Sequence, residues 1–330
     1  MPIFSIFRNK TIKMSATLDT PQTKTHSLEY FLLGFNIKGS FSPLLHNTGF
    51  KVLGLPHVYS LFETPNVDQT VERLLQDPKV GGLSVTAPHK LEVGSYMDEI
   101  SEEARTMGSV NTIIASVTPG TDQRFLYGDN TDWLGITRCI EGGKIDLGIA
   151  GTTAVVLGAG GAARAAVYAF IKLGIRKIVV VNRTRERALR LAENFPEHMI
   201  EITPTLHALE DSSKNGTMKI SVVVGCLPAH VLSETDIPDW LFTDVDKGVL
   251  VEMAYGRTTA ITSKASLASN WSVFDGIDVL QQQAFGQFEA WTGKPAPRLA
   301  MMQAVNSALG RQLNPVFAEE DIQSKRESRI

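Results

Sequence analysis

The stretch Thr153–Ala165, reading Thr-Ala-Val-Val-Leu-Gly-Ala-Gly-Gly-Ala-Ala-Arg-Ala, most narrows what this chain can fold into. Its first five residues have the composition of a buried strand and run directly into Gly158, Gly160 and Ala163, spaced G-x-G-x-x-A. A helical pattern over Ala162–Leu173 stops at Gly174, and a second apolar run, Lys177–Val181, follows. Strand, glycine turn, helix and strand in this order predict a βαβ unit that binds a dinucleotide. Gly158 allows the tight turn and Gly160 lets the backbone approach a pyrophosphate. Ala163 lets the helix sit close to the sheet, with its N-terminal amides and dipole facing the anion. Gly158, Ala159, Gly160, Gly161 and Ala162 are the expected cofactor loop.

The end of the second strand selects the nucleotide. An NAD site usually places an acidic group about twenty residues past the glycines, to accept the ribose hydroxyls. Here the chain reads Asn182-Arg183-Thr184-Arg185-Glu186-Arg187. A guanidinium can pair with a 2′-phosphate through two parallel hydrogen bonds and stack on adenine. Arg183 and Arg187 are therefore the expected phosphate clamp, with Asn182 and Thr184 as neutral donors. NADP is the expected cofactor, and NAD stays open as a second choice.

A chain of 330 residues with 43% hydrophobic content suits two domains, each with its own core. Its formal net charge of −3 offers no basic surplus for nucleic acid. No apolar run reaches the roughly eighteen residues of a membrane span. Two cysteines, Cys139 and Cys226, lie far apart, which excludes a disulfide framework or a C-x-x-C zinc site and suits a reducing, cytoplasmic compartment. Both read as packing residues. The segment 1–27 carries Arg8, Lys10, Lys13 and Lys24 against one acid, a balance compatible with a mitochondrial transit peptide although it holds a single arginine; a disordered extension is the expected reading.

Along the rest of the chain, Tyr30–Phe35 and Val58–Phe62 read as strands and Val67–Leu75 as an amphipathic helix. Between the first two, Ser40 and Ser42 stand two apart, so their hydroxyls can point the same way. Pro43 suits a helix's first turn with Ser42 as its cap. Gly81–Lys90 gives a strand broken at Pro88, with Lys90 just beyond and His89 a structural residue. A helix around Ser101–Thr106 precedes two strands flanking the turn-rich Ser116–Gln123, which predict a hairpin. Asn111, Asn130 and Asp132 cluster among these short apolar strands, as polar groups lining a pocket would, although any one of them could equally close a turn. Helix Asp132–Glu141 leads into the cofactor half, where Ile220–Val224, Gly248–Met253 and Trp271–Phe274 continue the strands. Val279–Trp291 and residues 299–313 read as helices, and Glu319–Ile330 as a frayed tail.

Together these motifs resemble the shikimate/quinate dehydrogenase family over roughly residues 30–310. The resemblance is carried by Ser40-Phe41-Ser42-Pro43 with His46-Asn47, Val85-Thr86-x-Pro88-x-Lys90, Gly108-Ser109-Val110-Asn111-Thr112, Gly128-Asp129-Asn130-Thr131-Asp132-Trp133-x-Gly135, the glycine loop with Asn182-Arg183-Thr184, and Asp275-Gly276 with Gln283-Ala284. The resemblance implies an α/β fold of two domains, a substrate-binding domain and a Rossmann-like NADP domain with a cleft between them. The expected bounds are 28–135 plus 283–316 for the first and 136–282 for the second, with 317–330 a flexible tail. Ser40 and Ser42 are implied to bind a ring carboxylate, approached also by Tyr255. Thr86, Lys90, Asn111, Asp132 and Gln283 are implied to bind ring hydroxyls, Met253 to pack against nicotinamide, and Gly276 to flank the cofactor. Lys90 and Asp132 are implied to run proton transfer, which alcohol oxidation requires beside a hydride acceptor.

Some residues depart from the family pattern. Ser84 stands where asparagine is frequent, Asn36 where proline is usual, and Gly225-Cys226 where an Asn-Ala-Thr-like turn is expected. The Val85–Lys90 stretch resembles fungal quinate-type members, many of which prefer NAD, whereas Arg183 favours NADP. The expected partner is a small cyclic hydroxy acid, shikimate or quinate, with no nucleic acid or membrane, in a monomer or homodimer. A non-catalytic ligand sensor of the same fold is the competing reading, opposed by Lys90, Asp132 and the intact glycine loop.

Overall fold

The computed structural model describes residues 26–118, 121, 123–147, 152–243 and 245–318. The expected N-terminal extension and charged tail fall almost wholly outside the described residues. In chain order the strands and helices are β1 (Glu29–Gly34), α1 (Ser42–Val52), β2 (Val58–Glu63), α2 (Gln69–Gln76), β3 (Val80–Val85), β4 (Glu99–Ile100), α3 (Glu102–Met107), β5 (Thr112–Val117), β6 (Arg124–Asp129) and α4 (Asp132–Gly142). There follow β7 (Thr152–Leu157), α5 (Gly161–Lys172), β8 (Lys177–Val181), α6 (Arg185–Ala192), β9 (Ile200–Thr203), α7 (Glu210–Lys214), β10 (Lys219–Gly225), β11 (Gly248–Glu252), α8 (Ala260–Leu267), β12 (Trp271–Phe274), α9 (Gly276–Thr292) and α10 (Arg298–Ala308).

These elements form two compact units. The first takes the described residues up to Ser101, with Val110–Asp129 and Ala284–Leu313. The second takes Glu102–Ser109, Asn130–Gln283 and the described residues from Asn314 onward.

The first unit is built on a mixed sheet in the order β2-β1-β3-β5-β6-β4. The β1 strand pairs in parallel with β2 and β3, while β5 runs antiparallel to β3 and β6. The hairpin expected across 116–123 is thus present as β5 and β6. Aromatic side chains fill the core: Tyr30 lies 5.3 Å from Phe50 and 5.0 Å from Trp291, ring centre to ring centre. Gly49 lets α1 approach closely, since a Cβ there would stand 2.6 Å from the Phe288 ring and 3.1 Å from the Met301 sulfur. Pro43 lies in the first turn of α1 as expected, but Ser42 is not its cap. Phe41 takes that place in an αR conformation, and no side chain caps the helix.

The second unit holds an all-parallel sheet in the order β12-β11-β10-β7-β8-β9. Continuous apolar runs dictate this: every residue of β7 is buried, as are four of the five in β8. Such strands need helices on both faces. On one face α5 buries Ala163, Ala166, Val167 and Phe170, and Tyr168 meets Trp133 of α4 edge-on at 5.3 Å. On the other, Val155, Val179, Val223 and Leu250 pack with Leu241, Phe242 and Ile261. The chain winds outward in both directions from β7, so the switch point of the doubly wound sheet falls between β7 and β10. Among the described residues, no helix is long and apolar enough to cross a membrane.

Candidate functional site

The carboxyl ends of β7 and β10 make the crevice that doubly wound sheets offer to ligands. Gly158 follows β7 with φ +112°, a conformation that favours glycine. It is also crowded, since a Cβ there would lie 3.2 Å from the Cys226 carbonyl oxygen and 3.2 Å from Leu227. Gly160 is the N-cap of α5 and faces open space, with nothing within 4 Å of a Cβ position. Ala163 is fully buried, which seats the helix on the sheet. A tight turn, an uncrowded glycine and unshielded amides at a helix start fit a pyrophosphate. Ala159, Gly161 and Ala162, the rest of the expected loop, are partly exposed beside it.

Past β8, the Asn182 side chain donates to the Thr184 carbonyl at 2.7 Å and closes the turn, while Arg183, Thr184 and Arg187 are exposed. The two guanidinium groups thus lie just past the second strand of the βαβ unit, where a 2′-phosphate would be read. The structure also joins Met253 to Gly276. The Gly276 amide donates to Ala254 O at 3.4 Å, and a Cβ on Gly276 would overlap the Met253 carbonyl oxygen. Asp275 starts α9, its Oδ1 accepting the amides of Ile277 and Asp278 at 3.0 and 3.1 Å. Tyr255, half-buried, lies on the segment between β11 and α8.

In the first unit the Ser40 and Ser42 hydroxyls stand 3.2 Å apart, and Ser40 Oγ also accepts the Ser42 amide at 3.2 Å. Three other expected residues gather at one end of the sheet. Val85 donates its amide to Asn111 O at 2.7 Å, Val110 donates to Lys90 O at 2.8 Å, and Thr86 donates to Leu33 O at 2.9 Å. Thr86 and Lys90 are half-buried and Asn111 is buried. His89 is structural as expected: it is fully buried, with Nε2 2.8 Å from Thr64 O. Asn36, one of the departures, has φ +57°, which proline cannot adopt and asparagine tolerates.

Asp132 and Gln283 belong to the second unit. Asp132 is buried in the first turn of α4, its amide held by Asn130 Oδ1 at 3.0 Å. Asn130 in turn donates to Ser109 O at 2.8 Å. The Thr131 hydroxyl donates to Gln283 Oε1 at 2.8 Å, while Gln283 Nε2 donates to Leu280 O at 3.3 Å. The amide of Gln283 is therefore fixed in orientation. Burial, with Asp278 and Asp275 nearby, pushes the Cys139 thiol well above its usual range, in keeping with a packing role.

Of the residues that frame these positions, Thr131 stands within the Gly128–Trp133 motif without a role of its own, and Gln287 and Glu252 escape a reading of the sequence. Gln287 lies one helical turn beyond Gln283 on α9, and that i, i+4 glutamine pair is the one signal that points to it. Glu252 ends β11 with 4% of its surface exposed, and burial pushes its carboxyl up to about 7 against hydrogen bonds from Ala254 and Thr259.

Comparison with known proteins bears on these positions. Residues 32–113 match the family described as shikimate dehydrogenase substrate binding domain, and residues 143–257 match shikimate/quinate 5-dehydrogenase. Residues 276–305 match the shikimate 5′-dehydrogenase C-terminal domain. The pentafunctional AROM polypeptide of Malassezia globosa is 40% identical over 290 residues, which cover 84% of this chain and 17% of that polypeptide. The chain thus spans less than a fifth of the length of that relative. The S. pombe AroM structure holding dehydroquinate dehydratase and shikimate dehydrogenase is 38% identical with a TM-score of 0.68, over 85% of this chain and 53% of the other. Thermus thermophilus shikimate 5-dehydrogenase, solved with NADP(H) and shikimate, is 28% identical with a TM-score of 0.67 over 85% of this chain and 99% of its own.

Proposed function

This chain belongs to the shikimate/quinate dehydrogenase family, and from that membership we propose that it is an NADP-dependent oxidoreductase interconverting 3-dehydroshikimate and shikimate. One observation carries the reading. Substrate-domain, dehydrogenase and C-terminal family segments follow one another in order, on a chain whose glycine turn leaves Gly160 open to a phosphate.

NADP, when bound, supplies the hydride acceptor for alcohol oxidation and the donor for the reverse reaction. The chain's own residues do the rest. Gly158–Ala162 and the α5 amides hold the pyrophosphate, and Arg183 and Arg187 pair with the 2′-phosphate. The Ser40 and Ser42 hydroxyls, 3.2 Å apart, donate to the two oxygens of the ring carboxylate, with Tyr255 as a further donor. Thr86, Asn111 and Gln283 hold the ring hydroxyls. Lys90 Nζ takes the proton of the reacting hydroxyl during oxidation and returns it during reduction, and Asp132 orients that hydroxyl.

Initial rates with shikimate and with quinate, each with NADP and with NAD, test the proposal. Turnover of shikimate with NADP, and little with NAD, is the expected result. Quinate turnover with NAD would overturn both the cofactor and the substrate assignment. NADP binding without turnover of either acid would overturn the enzymatic reading.

A further inference from the structure

We propose that Glu252 is a positioning residue for this reaction, one that sets the path of Met253–Tyr255 at the carboxyl end of the second unit's sheet. The inference rests on the dehydrogenase reading, in which that segment meets the nicotinamide and the ring carboxylate.

The carboxylate pins both ends of the link between β11 and α8. Its Oε1 accepts the Ala254 amide at 3.0 Å, and its Oε2 accepts the hydroxyl of Thr259, the N-cap of α8, at 3.2 Å. The neighbouring strand is shaped to receive it. A Cβ on Gly225 would stand 2.6 Å from Oε2, so only a glycine at the end of β10 lets the carboxylate lie there. Gly225 in turn accepts the Met253 amide at 2.8 Å. Gly276 closes the other side, where a Cβ would stand 2.9 Å from Ala254 O. The segment is thus held by the carboxylate, by β10 and by the start of α9. The glycine at 225, one of the departures from the family pattern, is the residue this arrangement needs.

A role in stability alone explains the carboxylate poorly. The small cavity beside it is lined by Leu157, Leu227, Leu232 and Ile261 together with Thr259, and none of its lining groups besides Glu252 titrates. Burial in such surroundings penalises the charged form, which is why the carboxyl is pushed up to about 7. An apolar side chain of similar volume would fill the space without that penalty. What it would not provide is an acceptor for the Ala254 amide and the Thr259 hydroxyl. With both oxygens engaged and 4% exposure, Glu252 acts through the segment rather than on a ligand.

The test compares Glu252→Ala and Glu252→Gln with the wild-type chain by two independent readouts. The first is trypsin cleavage after Arg257, an exposed residue of the same link. Glu252→Ala should be cut about tenfold faster than wild type, and Glu252→Gln, which keeps the shape and an acceptor oxygen, at close to the wild-type rate. The second is steady-state kinetics with NADP and shikimate. Glu252→Ala should raise KM for shikimate about tenfold or more, with NADP affinity kept within about twofold. A purely structural role would lower the melting temperature and leave KM unchanged. A KM like that of wild type in Glu252→Ala overturns the proposal, whether or not Arg257 is cut faster.

If Glu252→Ala does not fold, the pH profile of Glu252→Gln decides. Wild type should show a break in KM near the Glu252 pKa of about 7 that the glutamine variant lacks. Identical profiles overturn the proposal. A wild-type chain that turns over no ring acid overturns the dehydrogenase reading instead, and the cleavage comparison still decides whether Glu252 holds the segment.

Discussion

The Ser84 hydroxyl donates to Gln287 Oε1 across 2.8 Å, with both side chains buried. The other end of the same amide donates to Asn111 O at 3.2 Å and to the Thr112 hydroxyl at 3.1 Å. One glutamine of α9 thus joins β3 to β5 at the place where Asn111 enters the candidate site. Ser84 stands where the family often has asparagine, and here the shorter hydroxyl meets the amide of Gln287. Removing Gln287 strands several buried polar groups. Gln287→Leu should cost roughly 1–3 kcal/mol of stability in urea unfolding and weaken shikimate binding by displacing Asn111. Ser84→Ala leaves one acceptor unpaired and should cost less. A double-mutant cycle with no coupling between the two would contradict the pairing.

Lys90 is fixed through its backbone, its carbonyl accepting the Val110 amide at 2.8 Å, while its side chain stays half-exposed. A group that moves a proton needs this firm base and a reachable tip. Lys90→Met keeps the length of the stem and removes the amine. Turnover of shikimate should fall about 10²–10⁴-fold with NADP affinity unchanged, as measured by initial rates and cofactor fluorescence. Near-normal turnover would move the proton-transfer role to another residue.

Arg183 lies in the turn after β8 and Arg187 in the first turn of α6, both exposed, and each guanidinium can offer a phosphate a forked pair of donors. A charge-assisted pair contributes about 1.5–3 kcal/mol, so Arg183→Ala should raise KM for NADP about 10–100-fold. KM for NAD, which lacks the 2′-phosphate, should barely change. Equal losses with both cofactors would mean that the guanidinium stacks on adenine without reading the phosphate.

Residues whose chemistry is local are legible in the sequence alone. Apolar runs mark the strands Lys177–Val181 and Trp271–Phe274 to the residue, and the glycine spacing marks the turn at Gly158. Elements with weak patterning do not stand out. Helix α8 buries only Ile261 and Ala265, too little periodicity to be noticed, and α6 and β9 are short. Ser42 does not cap α1 because Phe41 takes the capping position one residue earlier. The supporting residues are hidden because their partners are remote in sequence. Ser84 and Gln287 are 203 positions apart, and Glu252 faces a glycine whose lack of a side chain is itself the signal. Sequence periodicity reports which face of an element is buried, and it does not report which distant polar group waits there.

Two buried groups, one in each unit, tie stability to pH with opposite sign. His46 is fully buried, its ring stacked on Tyr59 with centres 4.6 Å apart, and burial pushes its pKa down to about 3 from 6.5. As pH falls below 6.5 the unfolded chain takes up a proton that the folded chain refuses. Stability then drains by about 1.4 kcal/mol per pH unit until the folded pKa is reached, or about 2 kcal/mol between about pH 7 and pH 5. Glu252 runs the other way. Its folded value of about 7 lies above the ordinary 4.5, so its contribution is full below 4.5 and is lost as pH rises through 7. The loss totals about 3 kcal/mol. Urea unfolding of His46→Leu and Glu252→Gln across this range should therefore give stability differences from wild type that tilt in opposite directions. His46→Leu should gain relative to wild type as the solution is acidified, and Glu252→Gln as it is made alkaline. A flat difference for His46→Leu would mean that the imidazole titrates normally in the folded chain, and a flat difference for Glu252→Gln would mean that hydrogen bonds from Ala254 and Thr259 cancel the effect of burial.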